Sequence, residues 1–404
     1  MKIDMMRKID RGAGIPLCFL FSVFNKIQQL ITRQNLKKTP EKILFIEMSE
    51  MGSVVLAYSL FKKTKNMYPD AELFFLTFKD TRFAVDILHL FPEKNVISID
   101  SRSFLSFFTS SLKAILRLRK EHIDLALDME LFARYTTLLC YLIGAKSRVG
   151  FDRYTLEGLY RGNLLTHRVI FNPHIHISQN LLNLIDAFAS LRKEIPLPKK
   201  PIHERNIIIP KATLTKKARQ NILNKLFSEN PDIKSAHKII LINPNAGDII
   251  PIRRWPPQNY IELVRLLLKQ ENLFVILTGT EPEKKQTEAI SQEVGSDRCI
   301  SFAGKTTFPE LIDLYQISDI LITNDSGPVH FSAMTDIQTF VFFGPETPKL
   351  YGPLTKKCHV FYANFSCSPC VSAFNHRKSP CDDNKCLQAI SVGHVYETIK
   401  KFLY

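Results

Sequence analysis

Apolar runs of four to seven residues recur along most of this chain, each followed by a turn and then by apolar residues at helical spacing. In the first half the runs are Ile43–Glu47, Glu72–Phe78, Val96–Ile99, Ile123–Asp128 and Arg148–Phe151. Short, nearly unbroken runs rich in branched and aromatic residues predict buried strands. Between them, Val54–Tyr68, Thr81–Phe91, Leu112–Glu121 and Leu131–Ile143 read as helices. Such alternation predicts a parallel sheet built from βαβ units. It stops at the Pro-rich stretch Ile195-Pro196-Leu197-Pro198-Lys199-Lys200-Pro201 and resumes with a helix over Thr215–Phe227. Strands then follow at Ile239–Ile242, Leu273–Leu277, Asp319–Thr323 and Thr339–Phe343. A chain of 404 residues is too long for one ordinary core, so two domains are expected. The predicted division is a basic N-terminal segment, 1–40, a first Rossmann-like domain, 41–195, a linker, 196–235, and a second such domain, 236–404.

The turns after these strands carry the candidate chemistry. Asn243-Pro244-Asn245-Ala246-Gly247 closes one strand, with Arg253-Arg254-Trp255-Pro256 soon after. Thr278-Gly279-Thr280-Glu281-Pro282-Glu283 closes the next, and Asp325-Ser326-Gly327-Pro328-Val329-His330 closes a third. Backbone N–H groups at a strand-to-helix turn suit an anionic ligand at the carboxyl edge of an α/β sheet. Ser326 and His330 are four apart and can face one ligand from one helical turn. The alternative is an ordinary Ser or Asp helix cap beside a surface histidine. In the first domain, the strand ending at Glu47 runs into Met48-Ser49-Glu50-Met51-Gly52-Ser53.

From about Lys42 onward, these segments in this order, with Gly344-Pro345 and Tyr351-Gly352-Pro353 behind them, resemble glycosyltransferase family 9, the heptosyltransferase family of lipopolysaccharide inner-core assembly. The resemblance implies an α/β GT-B fold, two Rossmann-like domains facing a central cleft, with the last helix, near Val392–Phe402, crossing back to the first domain. It implies a nucleotide-diphosphate sugar donor, ADP-heptose at the family's centre, a glycolipid acceptor of lipopolysaccharide type, and inversion at the anomeric carbon. The implied donor contacts are Asn245, Arg253, Gly279, Glu283, Asp325, Ser326, Gly327 and His330. Arg253 and backbone N–H groups would carry the leaving diphosphate, so no catalytic cofactor or metal is expected. The family motif after the first strand ends in Gly-Asp, and that Asp is the base in the resembled enzymes. Here Gly52 is followed by Ser53, which cannot act as a carboxylate base. Glu50 is the first candidate to replace it, with Glu47 and Asp128 behind it, and Gly52 and Ser53 are placed on the acceptor side. Glu50 is equally readable as a helix N-terminal carboxylate. A protein that binds nucleotide sugars without turnover is therefore the competing reading. A nicotinamide-dependent dehydrogenase is disfavoured, since no G-x-G-x-x-G follows a predicted strand.

Charge and cysteines add partners to this picture. Net charge is +15, and residues 1–40 hold eight basic residues against Asp4 and Asp10. Within them, Gly14–Phe24 is strongly apolar but too short for the roughly 20 apolar residues of a bilayer span. No small-residue cleavage site follows it, which argues against a signal peptide. It is read either as a helix lying in an anionic membrane surface or as a helix packed on the second domain. A second basic and aromatic stretch spans Arg102 to Lys120. No nucleic-acid motif accompanies either stretch, so the expected location is cytoplasmic, peripheral at the inner membrane. Cys367-x-x-Cys370 and Cys381-x4-Cys386 have spacing compatible with a structural zinc or with two disulfides.

Overall fold

The computed structural model describes residues 3–31, 39–155, 157–190, 194–201, 207–235, 238–247, 250–271, 273–375 and 377–403. Part of the predicted linker, 202–206, and part of the N-terminal segment, 32–38, lie outside the described residues. The chain divides into two compact units, Met1–Ile208 with Ala373–Asn375, and Ile209–Ser372 with His376–Tyr404.

Unit 1 holds six strands: β1 (Lys42–Ile46), β2 (Glu72–Phe78), β3 (Val96–Ile99), β4 (Leu125–Asp128), β5 (Ser147–Phe151) and β6 (His167–Val169). All pair in parallel in the order β3-β2-β1-β4-β5-β6. The strands are sandwiched, which is why their sequences lack polar alternation. Leu44, Ile46, Phe74, Leu76 and Ala126 pack with Leu118, Leu139 and Cys140 of the helices Phe104–Glu121 and Arg134–Leu142. Phe45 and Phe75, with Phe61 and Phe91, form edge-to-face pairs 4.9–5.8 Å apart.

Unit 2 repeats the plan with β7 (Lys238–Asn243), β8 (Leu273–Leu277), β9 (Cys299–Ser301), β10 (Ile320–Asn324), β11 (Gln338–Phe343) and β12 (Cys358–Tyr362). Their order is β12-β11-β10-β7-β8-β9, again parallel. In each sheet the order reverses beside the first strand, between β1 and β4 and between β7 and β10. These are the switch points at which open α/β sheets leave a crevice. The helix Val392–Lys400 belongs to unit 2. It packs on the helix Pro257–Leu267 within unit 2, and Val395 and Ile399 are buried in that unit's core.

The N-terminal segment also departs from expectation. Residues Gly14–Ile31 form one helix, and Met5–Ile31 is long and apolar enough to cross a membrane by length and composition. It packs within unit 1, against the helix Arg134–Leu142. Asp10 pairs with Arg134 at 3.1 Å, and Asn25 donates to the Asn163 carbonyl at 2.7 Å. Gly162, at φ +73°, has no Cβ because one would sit 2.6 Å from the Cys18 carbonyl oxygen. Only glycine tolerates both that backbone and that approach. The docked stripe is narrow (Gly14, Cys18 and Asn25). The rest of the helix shows Phe19, 64% exposed, and Leu30, 82% exposed, to solvent.

Candidate active site

At the switch point of unit 1, β1 delivers Glu47 and β4 delivers Asp128 and Glu130. Glu50 is the residue before the helix Met51–Leu56. It does not cap that helix with its side chain. Instead Ser53 Oγ donates to Glu50 Oε2 at 2.9 Å. Glu47, Glu50, Ser53, Met129, Glu130, Leu131, Ile177 and Leu181 line one cleft. Ser53 is thus in the cleft as a hydrogen-bond donor to the carboxylate three residues before it. Gly52 is buried in the first turn of the same helix.

Asp128 is not available as a base. It is 0% exposed and ion-paired with Arg161, also 0% exposed. Thr136 Oγ1 donates to it at 3.0 Å and the Glu130 N–H at 3.2 Å. Its oxygens are consumed by structure. Glu47 is nearly as buried, at 4%, and its carboxyl is raised well above the usual range by burial and then by Glu130 and Glu50. A group that keeps its proton is a poor base. Glu130, which sequence reasoning missed, is pushed up to about 7 by burial first and by the Glu50 charge next. Its signal was an acidic residue two positions beyond a strand end, meaningful only once β4 lies beside β1.

In unit 2 the candidate donor residues gather at the β8, β7 and β10 carboxyl ends. Asn324, fully buried at the end of β10, ties them. Its Nδ2 donates to the Pro244 and Asn245 carbonyls at 2.9 and 3.2 Å. Its Oδ1 accepts the Trp255 N–H at 2.9 Å and the Tyr260 hydroxyl at 3.1 Å. Trp255 is buried, stacks on Phe342 at 4.5 Å and donates Nε1 to the Ile390 carbonyl at 3.0 Å. That anchor fixes Arg253, two residues earlier, whose Nη1 lies 3.5 Å from Asp325 Oδ2. Glu283 turns back on its own loop, with Oε2 accepting from the Thr280 N–H and Oγ1, both at 2.8 Å. Gly279 packs tightly between these side chains: a Cβ there would meet Asn245 Nδ2 at 3.1 Å and Glu283 Oε2 at 3.3 Å.

Asn245 is buried, yet among the described residues neither its Oδ1 nor its Nδ2 has a hydrogen-bond partner. Orphaned buried amides cost about 1–3 kcal/mol each, a cost that a hydroxyl- or phosphate-bearing ligand would offset. Ser326 precedes the short helix Gly327–Ser332, and its Oγ donates to the Asn324 carbonyl at 3.2 Å rather than capping the helix. His330 is buried on that helix. Glu346, unremarked in sequence, is buried beside Arg377, Asp325 and Arg253, and burial raises it to about 8.

The description "Glycosyltransferase family 9 (heptosyltransferase)" matches residues 112–379, about two-thirds of the chain. The chain belongs to glycosyltransferase family 9. It is a glycosyltransferase. Lipooligosaccharide heptosyltransferase 2 of Haemophilus influenzae is 23% identical over 324 residues, 79% of this chain and 87% of that protein. Its Campylobacter jejuni namesake is 29% identical over 181 residues, 44% of this chain and about half, 55%, of that protein. Among solved structures, E. coli ADP-heptose lps heptosyltransferase II has the same fold at a TM-score of 0.68. The identity there is 20%, covering 90% of this chain and 98% of that one.

The cysteine loop of this family 9 member carries the four thiols that their spacing singled out. Cys367 is exposed, Cys370 and Cys381 half-buried and Cys386 buried, all as free thiols. Cys370 Sγ accepts from Ser379 Oγ at 3.0 Å, and Cys381 Sγ lies 3.5 Å from Asp383. Among the described residues no group of three or more His, Cys, Asp or Glu side chains is placed to hold a metal ion.

Proposed function

We propose that this enzyme transfers heptose from ADP-heptose, with inversion, to a hydroxyl of a lipopolysaccharide-type glycolipid. The observation that carries the reading is the Ser53–Glu50 hydrogen bond, which sets a carboxylate in the cleft where the family motif would place its Asp. Glu50 is the base. It takes the acceptor hydroxyl's proton as that oxygen attacks the anomeric carbon and the bond to ADP breaks. Proton transfer of this kind contributes about 10²–10⁴ in rate. Ser53 orients the carboxylate through Oε2.

The donor side is assigned to unit 2. Arg253, steered by Asp325, meets the diphosphate together with backbone N–H groups of Ser326 and Gly327. Asn245, Gly279 and Glu283 hold the nucleoside part, and His330 supports the turn. Arginine offers two parallel donors to phosphate oxygens, so the leaving charge is met without a divalent cation. The reading places the enzyme at the cytoplasmic face of an anionic inner membrane. The exposed apolar face of Gly14–Ile31, with Arg7, Arg11 and Lys26 near it, supports this.

The test is incubation of the purified chain with ADP-heptose and a heptose-acceptor glycolipid, with and without EDTA. Stoichiometric ADP release, a product of inverted anomeric configuration by NMR, and insensitivity to EDTA are expected. Donor binding without release of ADP would support the nucleotide-sugar-binding alternative instead.

A further inference from the structure

Two helices of unit 1 leave apolar faces in solvent, and the reaction uses neither. The first is Gly14–Ile31, which turns its small and polar residues inward. Gly14, Cys18 and Asn25 are buried. Asn25 Oδ1 accepts from Arg148 Nη2 at 3.2 Å, and Ser22 Oγ accepts the Asn163 N–H at 2.6 Å. Phe19, Leu20, Val23, Phe24 and Ile27 are left outside. A surface helix of a water-soluble domain has the opposite sidedness. The second helix, Phe104–Glu121, buries Ser111, Ala114 and Leu118. It exposes Phe104, Phe108, Leu112 and Leu116, each four residues on from the last, with Leu105 beside them. Residues at that spacing share one side of a helix.

Both helices pack on Arg134–Leu142. From Phe104–Glu121, Phe107 meets the Tyr135 ring at 4.9 Å, and the Ser111 and Tyr135 hydroxyls are 2.6 Å apart. Further along, Arg119 Nη1 donates to the Leu142 carbonyl at 3.0 Å. From Gly14–Ile31, Gly14 lies against Arg134, Cys18 packs with Leu138, and Phe21 meets Tyr141 at 5.6 Å. In both pairs the residue numbers rise together, so the three helices run in one direction. They lie on the side of the sheet to which Leu44 and Ile46 point. Their sequences contain one acidic residue, Glu121, and it is paired with Lys42 at 2.6 Å. Lys26, Lys113, Arg117 and Lys120 are exposed among the apolar side chains. A large exposed apolar patch marks an interaction site. Cations around it complement anionic headgroups, while the apolar side chains enter the acyl boundary. A second copy of this chain would instead set cations against cations.

We propose that the exposed faces of Gly14–Ile31 and Phe104–Glu121 form one docking surface that seats unit 1 on an anionic lipid bilayer. The proposal rests on the peripheral-membrane reading and adds the second helix to it. Two contacts on one folded unit bind far more tightly than either alone. Phe104 follows β3, so this end of its helix lies at the carboxyl edge of the sheet, the edge that also carries Glu50. Docking there brings a lipid-anchored acceptor to the edge of the sheet that holds the base.

Flotation of the full chain with vesicles of phosphatidylglycerol and phosphatidylethanolamine tests this, beside vesicles of phosphatidylcholine alone. The parent should bind the anionic vesicles at least about tenfold more tightly. Equal binding to both would overturn the assignment to an anionic surface. Phe104→Glu with Phe108→Glu should lower partition into the anionic vesicles at least about tenfold. Tm and ADP affinity should not change, since both side chains are exposed and the donor residues belong to unit 2. Partition unchanged in that variant but lost in Phe19→Glu with Phe24→Glu would overturn the two-helix surface and leave the membrane reading standing. A parent that does not float at all would overturn both. Retention on the vesicles in alkaline carbonate would mean that Gly14–Ile31 inserts through the bilayer, against the proposal. A lipid-free dimer of the parent that Phe104→Glu with Phe108→Glu splits would give the face to a second copy and also overturn it.

Discussion

Replacing Asp128 by Ala should destabilise unit 1 severely and so reduce activity indirectly. The substitution leaves the Arg161 guanidinium at 0% exposure with its carboxylate partner gone. Its remaining hydrogen bonds go to neutral acceptors, the Phe151 carbonyl at 2.7 Å and Thr136 Oγ1 at 3.2 Å, with the Asp152 carboxylate, itself paired with Arg168, left as a nearby charge. Breaking a buried ion pair from one side costs about 3–5 kcal/mol, because the surviving charge stays desolvated. For a unit of this size each kcal/mol is about 2–4 °C, so the melting transition should fall by roughly 6–20 °C. Removing both partners tests the cause. Asp128→Leu with Arg161→Leu removes both charges, and such replacements are often close to neutral. The double variant should therefore recover most of the loss. Calorimetry is the assay, with unit 1 followed separately where the two units melt apart. An Asp128→Ala protein that melts within about 2 °C of the parent yet has no turnover would refute this reasoning. It would return Asp128 to the list of bases.

Three further outcomes follow from packing and charge. Gly162→Ala should cost more than about 1 kcal/mol, because its φ of +73° is strained for alanine and a Cβ meets the Cys18 carbonyl. Limited proteolysis should then cut first within the N-terminal helix. Phe19→Glu with Phe24→Glu should release the protein from anionic vesicles while leaving Tm unchanged, since both side chains are exposed. Unchanged vesicle binding would move the contact to the exposed Phe104, Leu105 and Phe108. Arg253→Ala should weaken ADP binding by at least about tenfold through loss of a charge-assisted contact, worth about 1.5–3 kcal/mol. Calorimetric titration with ADP checks this, and parental affinity would remove Arg253 from the donor site.

The long strands were legible because burial on both faces leaves runs such as Leu273–Leu277 without polar interruption. The strands β6 and β9 escaped notice at three residues each, and β12 mixes Cys358 and His359 with apolar residues at a sheet edge. The donor-side turns were legible because each sits directly behind a strand. The pairing of Asp128 was not legible because its partner, Arg161, lies thirty-three residues on, where only folding brings the two together. Glu130 was missed for the same reason, since its neighbour Glu47 belongs to another strand. The N-terminal helix is apolar almost all round, so its docked side is set by Gly162 and Asn163 of unit 1, which no periodicity within the helix reveals.

The central claim is that Glu50, held by Ser53, is the base that the family motif supplies from the Ser53 position, three residues on. Glu50→Gln keeps the size of the side chain and its bond from Ser53 but removes basicity. The measurement is kcat for ADP release with acceptor present, alongside the Kd for ADP-heptose. The account predicts a loss of about 10²–10⁴ in kcat with donor affinity within about twofold of the parent, since the donor residues belong to unit 2. Near-parental turnover in Glu50→Gln would contradict it.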